Sequence, residues 1–139
     1  APEGRNEVID VADFCFASGK HAKPKKIFSS PYLRARETAE MVQGFLGCEQ
    51  GLEFLAELKS GANFPSILGA LSRRGKGLDS FAVVGHIPDL ESLAFGLLAG
   101  ERAGEIRLKT GGLLVIEAES LSEPYRAKLL GSYDPQNLR

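Results

Sequence analysis

Ser29-Ser30-Pro31-Tyr32-Leu33-Arg34-Ala35-Arg36-Glu37-Thr38-Ala39 is the stretch on which the fold turns. Before it, Lys26 to Ser29 reads as a short strand around Ile27 and Phe28. Ser30 suits a helix N-cap and Pro31 the first helical position, where a missing N–H costs nothing. The helix then runs to about Leu46. It turns Ala35, Ala39, Val42, Phe45 and Leu46 inward, and Gly47 ends it. Arg34 falls one turn into this helix. A second strand, Phe81 to Val84, is apolar throughout, as expected of a strand covered on both faces. It leads into Gly85-His86. Pro88 then opens a further helix that places Leu90, Leu93, Ala94, Leu97 and Leu98 inward and stops at Gly100.

The same strand–helix alternation extends outward. Gly4 to Ala17 predicts an amphipathic helix with Val8, Val11, Ala12, Cys15 and Phe16 on one side. Gly19 is its stop, and His21-Ala22-Lys23-Pro24-Lys25 is a polar connection. Leu52 to Leu55 is a short extended piece. Gly61 and Asn63 lead into a helix carrying Phe64, Ile67, Leu68 and Leu71 on one face. Arg73-Arg74-Gly75-Lys76-Gly77 reads as a basic loop. Leu113 to Ala118 and Tyr125 to Gly131, joined by the polar 119–124 turn, predict an antiparallel pair. The expected architecture is a three-layer α/β/α sandwich with a mainly parallel central sheet and an antiparallel edge, a single domain over residues 1–139. Ligands of such sheets sit beyond the carboxyl ends of the strands. Ser29-Ser30 and Gly85-His86 both lie at such ends, so they are expected to share one crevice.

Composition narrows the function classes. The 139 residues are 43% hydrophobic and 25% charged, with a net charge of −1. There is no global field to draw a nucleic acid or an anionic membrane, so any anion site is local. No apolar run approaches the roughly 18 residues of a membrane span, and no signal peptide is visible. A cytoplasmic monomer is expected. Cys15 and Cys48 lack motif spacing and are expected to be free thiols of a reducing compartment. Two histidines and two scattered cysteines supply no metal-ligand set, so neither a metal nor another cofactor is expected.

The chemistry concentrates on a few residues. Arg34 is suited to bidentate hydrogen bonds with phosphoryl oxygens, beside the oriented amides of a helix start at Ser30-Pro31. His86 is placed to donate to the same group and, as imidazolium, to stabilise developing negative charge. The plainer alternatives are a surface ion pair for Arg34 and a hydrogen-bonded core histidine for His86. Ser29 and Ser30 serve the turn and cap, Thr110 is a candidate contact at the phosphate edge, and Arg36 is expected to face solvent.

Ser30 to Ala39, in the pattern Ser-Pro-x-x-Arg-Ala-x-x-Thr-Ala, and Gly85-His86 together resemble the histidine phosphatase superfamily, with its phosphoglycerate mutase-like fold. Ala1-Pro2-Glu3-Gly4, Thr110-Gly111-Gly112 and Ser132-Tyr133-Asp134-Pro135 also resemble its small phosphohistidine phosphatases of the SixA type. The resemblance covers nearly the whole chain. It implies metal-independent phosphoryl transfer through a phosphohistidine enzyme intermediate, with Arg34 and His86 on the phosphoryl oxygens. It also implies Glu57 as general acid, four residues before Gly61.

One element of the resemblance is missing. The superfamily's nucleophile stands in an Arg-His-Gly at the end of a central first strand, and no Arg-His-Gly occurs in these 139 residues. His21 is followed by Ala22 in a polar connection. The matching of Ala1 to Gly4 places the motif upstream of residue 1. Its loss is expected to open the core and leave neighbouring strands unpaired.

Three functions remain open on the sequence. The first is a phosphatase acting on phosphohistidine carried by a protein, favoured because 28 residues between Glu57 and His86 leave little room for a lid. The second is a phosphate- or phosphoprotein-binding module without turnover. The third is an enzyme of small phosphomonoesters, a mutase included.

Overall fold

The computed structural model describes residues 2–98, 106–122, 126–136 and 138, with side chains from Glu7 onward. Helix α1 (Pro2–Ala12) runs directly into a π-helical turn, Asp13–Ala17. Strand β1 (Ile27–Ser29) is followed by α2 (Leu33–Leu46), β2 (Leu52–Phe54) and a 3₁₀ turn, Ala56–Leu58. Then come α3 (Phe64–Arg74), β3 (Ala82–Val84), α4 (Ile87–Leu97), β4 (Leu113–Ala118) and β5 (Ala127–Tyr133). Tyr125 and Gly100 lie outside the described residues, so the expected start of β5 and end of α4 do too.

Three parallel strands stand in the order β2-β1-β3, with Ile27 opposite Leu52 and Ala82, and Ser29 opposite Phe54 and Val84. β1 is central, and its alternating side chains divide the core. Ile27 packs with Ala39, Leu46 and Cys48, and Phe16 closes the same cluster, which sets α2 and the π-helical turn on one face. Phe28 packs with Ile67, Leu68, Leu71, Leu93 and Leu97, which sets α3 and α4 on the other. Both Ile27 and Phe28 are wholly buried. This is the expected three-layer α/β/α arrangement.

The sheet departs from the expectation of one continuous mixed sheet. β4 and β5 pair antiparallel as a separate two-stranded sheet, with a register shift between Val115 and Ile116. Among the described residues, β3 pairs only with β1 and β4 only with β5. The edge of β3 and the strand β4 both face a cleft of about 780 Å³. Ala82 and Val83 line one side and Leu113 to Ala118 the other. Phe16 and His21 close it from the α1 layer, and Leu93 and Leu97 from the α4 layer. Periodicity identifies strands but not their partners, so it does not by itself separate β4 and β5 from the parallel sheet.

Local chemistry accounts for the other boundaries. α2 starts at Leu33 with Tyr32 as N-cap, not at Pro31 with Ser30. Ser30 instead accepts from the Tyr32 N–H at 3.2 Å, an ST-type turn that delays the helix by two residues. Gly47 ends α2 with φ +62, a conformation only glycine enters cheaply. Lys23 donates to the Leu46 carbonyl at 3.1 Å, a cation on the helix's negative end. Arg73 and Arg74, expected in a loop, form the last turn of α3. Arg74 meets Glu53, and Arg73 meets Glu57 at 3.5 Å, so both are engaged within the fold.

Glu53 also takes Lys26 at 2.7 Å. The Lys26 ammonium holds the Glu53 carboxyl below its ordinary range, and Arg74 adds to that against the opposing effect of burial. Lowering of a folded-state carboxyl pKa stabilises above the unfolded value and is lost as pH falls through the folded one. Glu53→Gln is therefore expected to cost about 1 kcal/mol near neutrality. The gap between variant and parent should close on acidification. Urea unfolding at neutral and acidic pH checks it, and a pH-independent gap would show that packing, not charge, matters.

Cys15 and Cys48 are free and buried, as expected. Burial pushes Cys15 up to about 11 and raises Cys48 in the same direction. Thiolates react and thiols do not. Neither cysteine should be alkylated by iodoacetamide at pH 8 in the folded protein, and both should be in denaturant, as read by mass spectrometry.

Candidate phosphoryl site

β1 and β3 are neighbours, so their carboxyl ends deliver Ser30 and His86 to one place. The Ser30 N–H donates to the Val84 carbonyl at 2.9 Å, which continues the ladder one residue past Ser29. The Ser29 hydroxyl donates to the Ser30 carbonyl at 2.8 Å, and both serines are fully buried. Ser30 Oγ then lies 3.3 Å from His86 Nε2. Ser30 Oγ already accepts from the Tyr32 amide, so its proton is available to the imidazole; equally, an Nε2–H can donate to the oxygen.

His86 is half-buried and is the N-cap of α4, with its carbonyl accepting from the Leu90 N–H at 2.9 Å. The Tyr32 ring meets the imidazole edge-on, with centroids 5.5 Å apart. Tyr32 is also the N-cap of α2. Two helix N-termini, each supplying orphan N–H donors, thus begin beside one histidine. Arg34 follows Tyr32 by two residues on an exposed turn of α2 and has no ion-pair partner among the described residues. Arg36 faces solvent as expected and reaches Glu40 at 4.0 Å. The couple thus consists of a hydrogen-bonded imidazole, a buried hydroxyl and the Tyr32 ring, and Arg34 is exposed on the first turn of the helix that Tyr32 caps.

The other two expected residues, Glu57 and Thr110, have these surroundings. Glu57 is engaged by Arg73 from α3. Thr110 is exposed in a turn whose next residue, Gly111, adopts φ +81 against Pro135, Glu7 and Val8. The structure brings neither into contact with the Ser30–His86 couple.

Sequence reasoning missed two carboxylates on α4. Asp89 Oδ2 accepts from the Gly61 N–H at 3.0 Å, and Glu91 Oε2 from the Leu108 N–H at 2.9 Å. The helix that begins at His86 therefore pins the loop after Glu57 and the segment before Thr110. An acidic residue in a first helical turn signals a favourable dipole, but not a tether to a residue 28 positions away. His21 was also placed only as polar. Its Nε2 lies 2.7 Å from the Tyr133 hydroxyl, which fastens the connection after α1 to β5. No group of three or more His, Cys, Asp or Glu fit to hold a metal ion occurs among the described residues. No helix among them is long and apolar enough to cross a membrane.

The architecture is shared with solved histidine phosphatases. A protein histidine phosphatase SixA, solved with tungstate, superposes with a TM-score of 0.83 at 23% identity, covering 100% of this chain and 85% of that one. A phosphohistidine phosphatase SixA from Agrobacterium tumefaciens gives 0.76 at 22% identity, covering 97% and 82%. A SixA protein from Nakamurella multipartitia gives 0.79 at 18% identity, covering 97% and 83%. At these identities the likeness fixes the fold. No protein-family model and no curated protein matches the chain.

Proposed function

We propose that the chain carries the phosphoryl-binding part of a SixA-type histidine phosphatase. Arg34, His86 and Ser30 hold the phosphoryl group, and the phosphoryl group of a protein phosphohistidine is the first substrate. The observation that carries this reading is the 3.3 Å contact of Ser30 and His86 at the carboxyl ends of adjacent parallel strands, with Arg34 exposed on the first turn of the helix that follows Ser30 and without an ion-pair partner among the described residues. The shared fold with SixA proteins supports it, and so does the tungstate bound in one of them.

Phosphoryl transfer asks the protein mainly for positioning and charge stabilisation. Arg34 fits two equatorial oxygens, and the imidazolium of His86 a third. The attacking histidine is expected on an Arg-His-Gly segment upstream of Ala1. It attacks phosphorus in line, the substrate's leaving group departs, and water then hydrolyses the enzyme phosphohistidine. A phosphoramidate leaving nitrogen is protonated directly, so the engagement of Glu57 by Arg73 does not impair this chemistry.

A second reading applies to residues 1–139 taken alone, because they contain no Arg-His-Gly. This exact chain binds phosphate or a phosphoprotein without turning it over. Calorimetry with tungstate tests the shared premise. Binding that falls at least tenfold in Arg34→Ala and in His86→Ala supports the site. Absence of binding, or equal binding by both variants, defeats it.

A further inference from the structure

The phosphoryl site is bordered by apolar side chains that the fold leaves in water. Leu33 is 66% exposed, more than any other large hydrophobic side chain so described, and stands directly before Arg34. Tyr32, 45% exposed, touches the His86 ring. Phe54, 41% exposed, ends β2 opposite Ser29 in the parallel register. These three lie at the same end of the sheet as Ser30 and His86. The inward face of α2 is already supplied by Ala35, Ala39 and Leu46, so Leu33 contributes nothing to the core.

A bare phosphate or small phosphomonoester has no apolar surface for Leu33 and Tyr32 to cover. A phosphoryl group on a protein arrives with the side chains around it. We infer that Tyr32 and Leu33 form the docking surface of this site, and that its occupant is a phosphorylated protein segment with apolar side chains beside the phosphorylated residue. The inference rests on the phosphoryl-site reading above and specifies its partner. Burial of one leucine-sized side chain is worth roughly a tenfold gain in affinity or more. An aromatic residue next to the central polar contact is the usual position of a binding hot spot. The phosphoryl group supplies charge, and the apolar neighbours supply discrimination.

The test uses three probes on the 139-residue chain. They are inorganic phosphate, and two short peptides with a non-hydrolysable phosphohistidine analogue flanked either by leucines or by serines. The expected result is that the leucine-flanked peptide binds at least tenfold more tightly than the serine-flanked one. Leu33→Ser should erase that difference and leave phosphate affinity unchanged, and Leu33→Met should restore it. Leu33 is exposed, so folding is not at risk. Equal binding of the two peptides by the wild-type chain, with phosphate still bound, overturns the docking surface alone. Failure of all three probes to bind removes the phosphoryl site and the docking surface together.

Discussion

Arg34→Ala and His86→Ala should each lower kcat/KM toward a protein phosphohistidine by about 10²- to 10³-fold, measured in a chain extended upstream by an added Arg-His-Gly strand. The size follows from where charge develops. The transferred group spreads negative charge over its equatorial oxygens, and preorganised donors facing those oxygens act at full strength in the transition state. Arg34 has no carboxylate partner among the described residues, so removal of its guanidinium leaves no orphaned acid behind. His86→Ala removes the donor and also leaves the buried Ser30 hydroxyl without its imidazole contact, so its loss should be the larger. Ser30→Ala should cost less, because the Tyr32 amide it receives sits at a helix end near water. Single-turnover rates with the three variants decide the order. If Ser30→Ala proves as harmful as His86→Ala, the serine hydroxyl carries as much of the phosphoryl contact as the imidazole. Equal rates for His86→Ala and the parent would remove histidine from the mechanism.

The residues of this site were legible because two local signals coincide with a fold-level rule. Ser-Pro announced a helix start, an apolar run announced a buried strand, and ligands of parallel sheets collect at strand ends. Those three statements place Ser30 and His86 together without any knowledge of pairing, and the parallel β1–β3 register does so in fact. What the sequence did not carry has one cause. Glu57 lies in a 3₁₀ turn, Thr110 in a loop turn, and Asp89 reaches from the first turn of α4 to the Gly61 N–H, and such positions depend on which distant group completes a hydrogen bond or ion pair. Arg73 binds Glu57 from 16 residues away, and nothing in the intervening sequence encodes that pairing. The helix start at Leu33 was missed by two residues because the Ser30 hydroxyl satisfies a turn before the helix instead of its first N–H groups.

The second large effect concerns the cleft between β3 and β4. A segment upstream of Ala1 that enters it as a strand should raise the melting temperature by about 10 °C or more relative to residues 1–139. The argument is one of unmatched surfaces. Backbone edges in a buried setting demand partners. Here one edge of β3 and the strand β4 face each other across about 780 Å³ lined by Ala82, Val83, Val115 and Ile116. Phe16 lies on one side of that space and Leu93 and Leu97 on the other, so an inserted strand would be buried on both faces. Such a strand is apolar throughout. Each buried aliphatic side chain contributes about 1.5–3 kcal/mol, against roughly 1.5 kcal/mol per residue of ordering entropy. Ladder hydrogen bonds on both edges add to the balance. A net gain of a few kcal/mol corresponds to the stated shift for a chain of this size. The same insertion would end beside Ser30 and His86 if it ran parallel to β3, so stability and catalysis should appear together. Residues 1–139 should accordingly bind the dye ANS, and the extended chain should not. A cooperative, ANS-free 139-residue chain with an unchanged melting temperature on extension would show that the cleft closes on itself, and the attacking histidine would then need another route to the site.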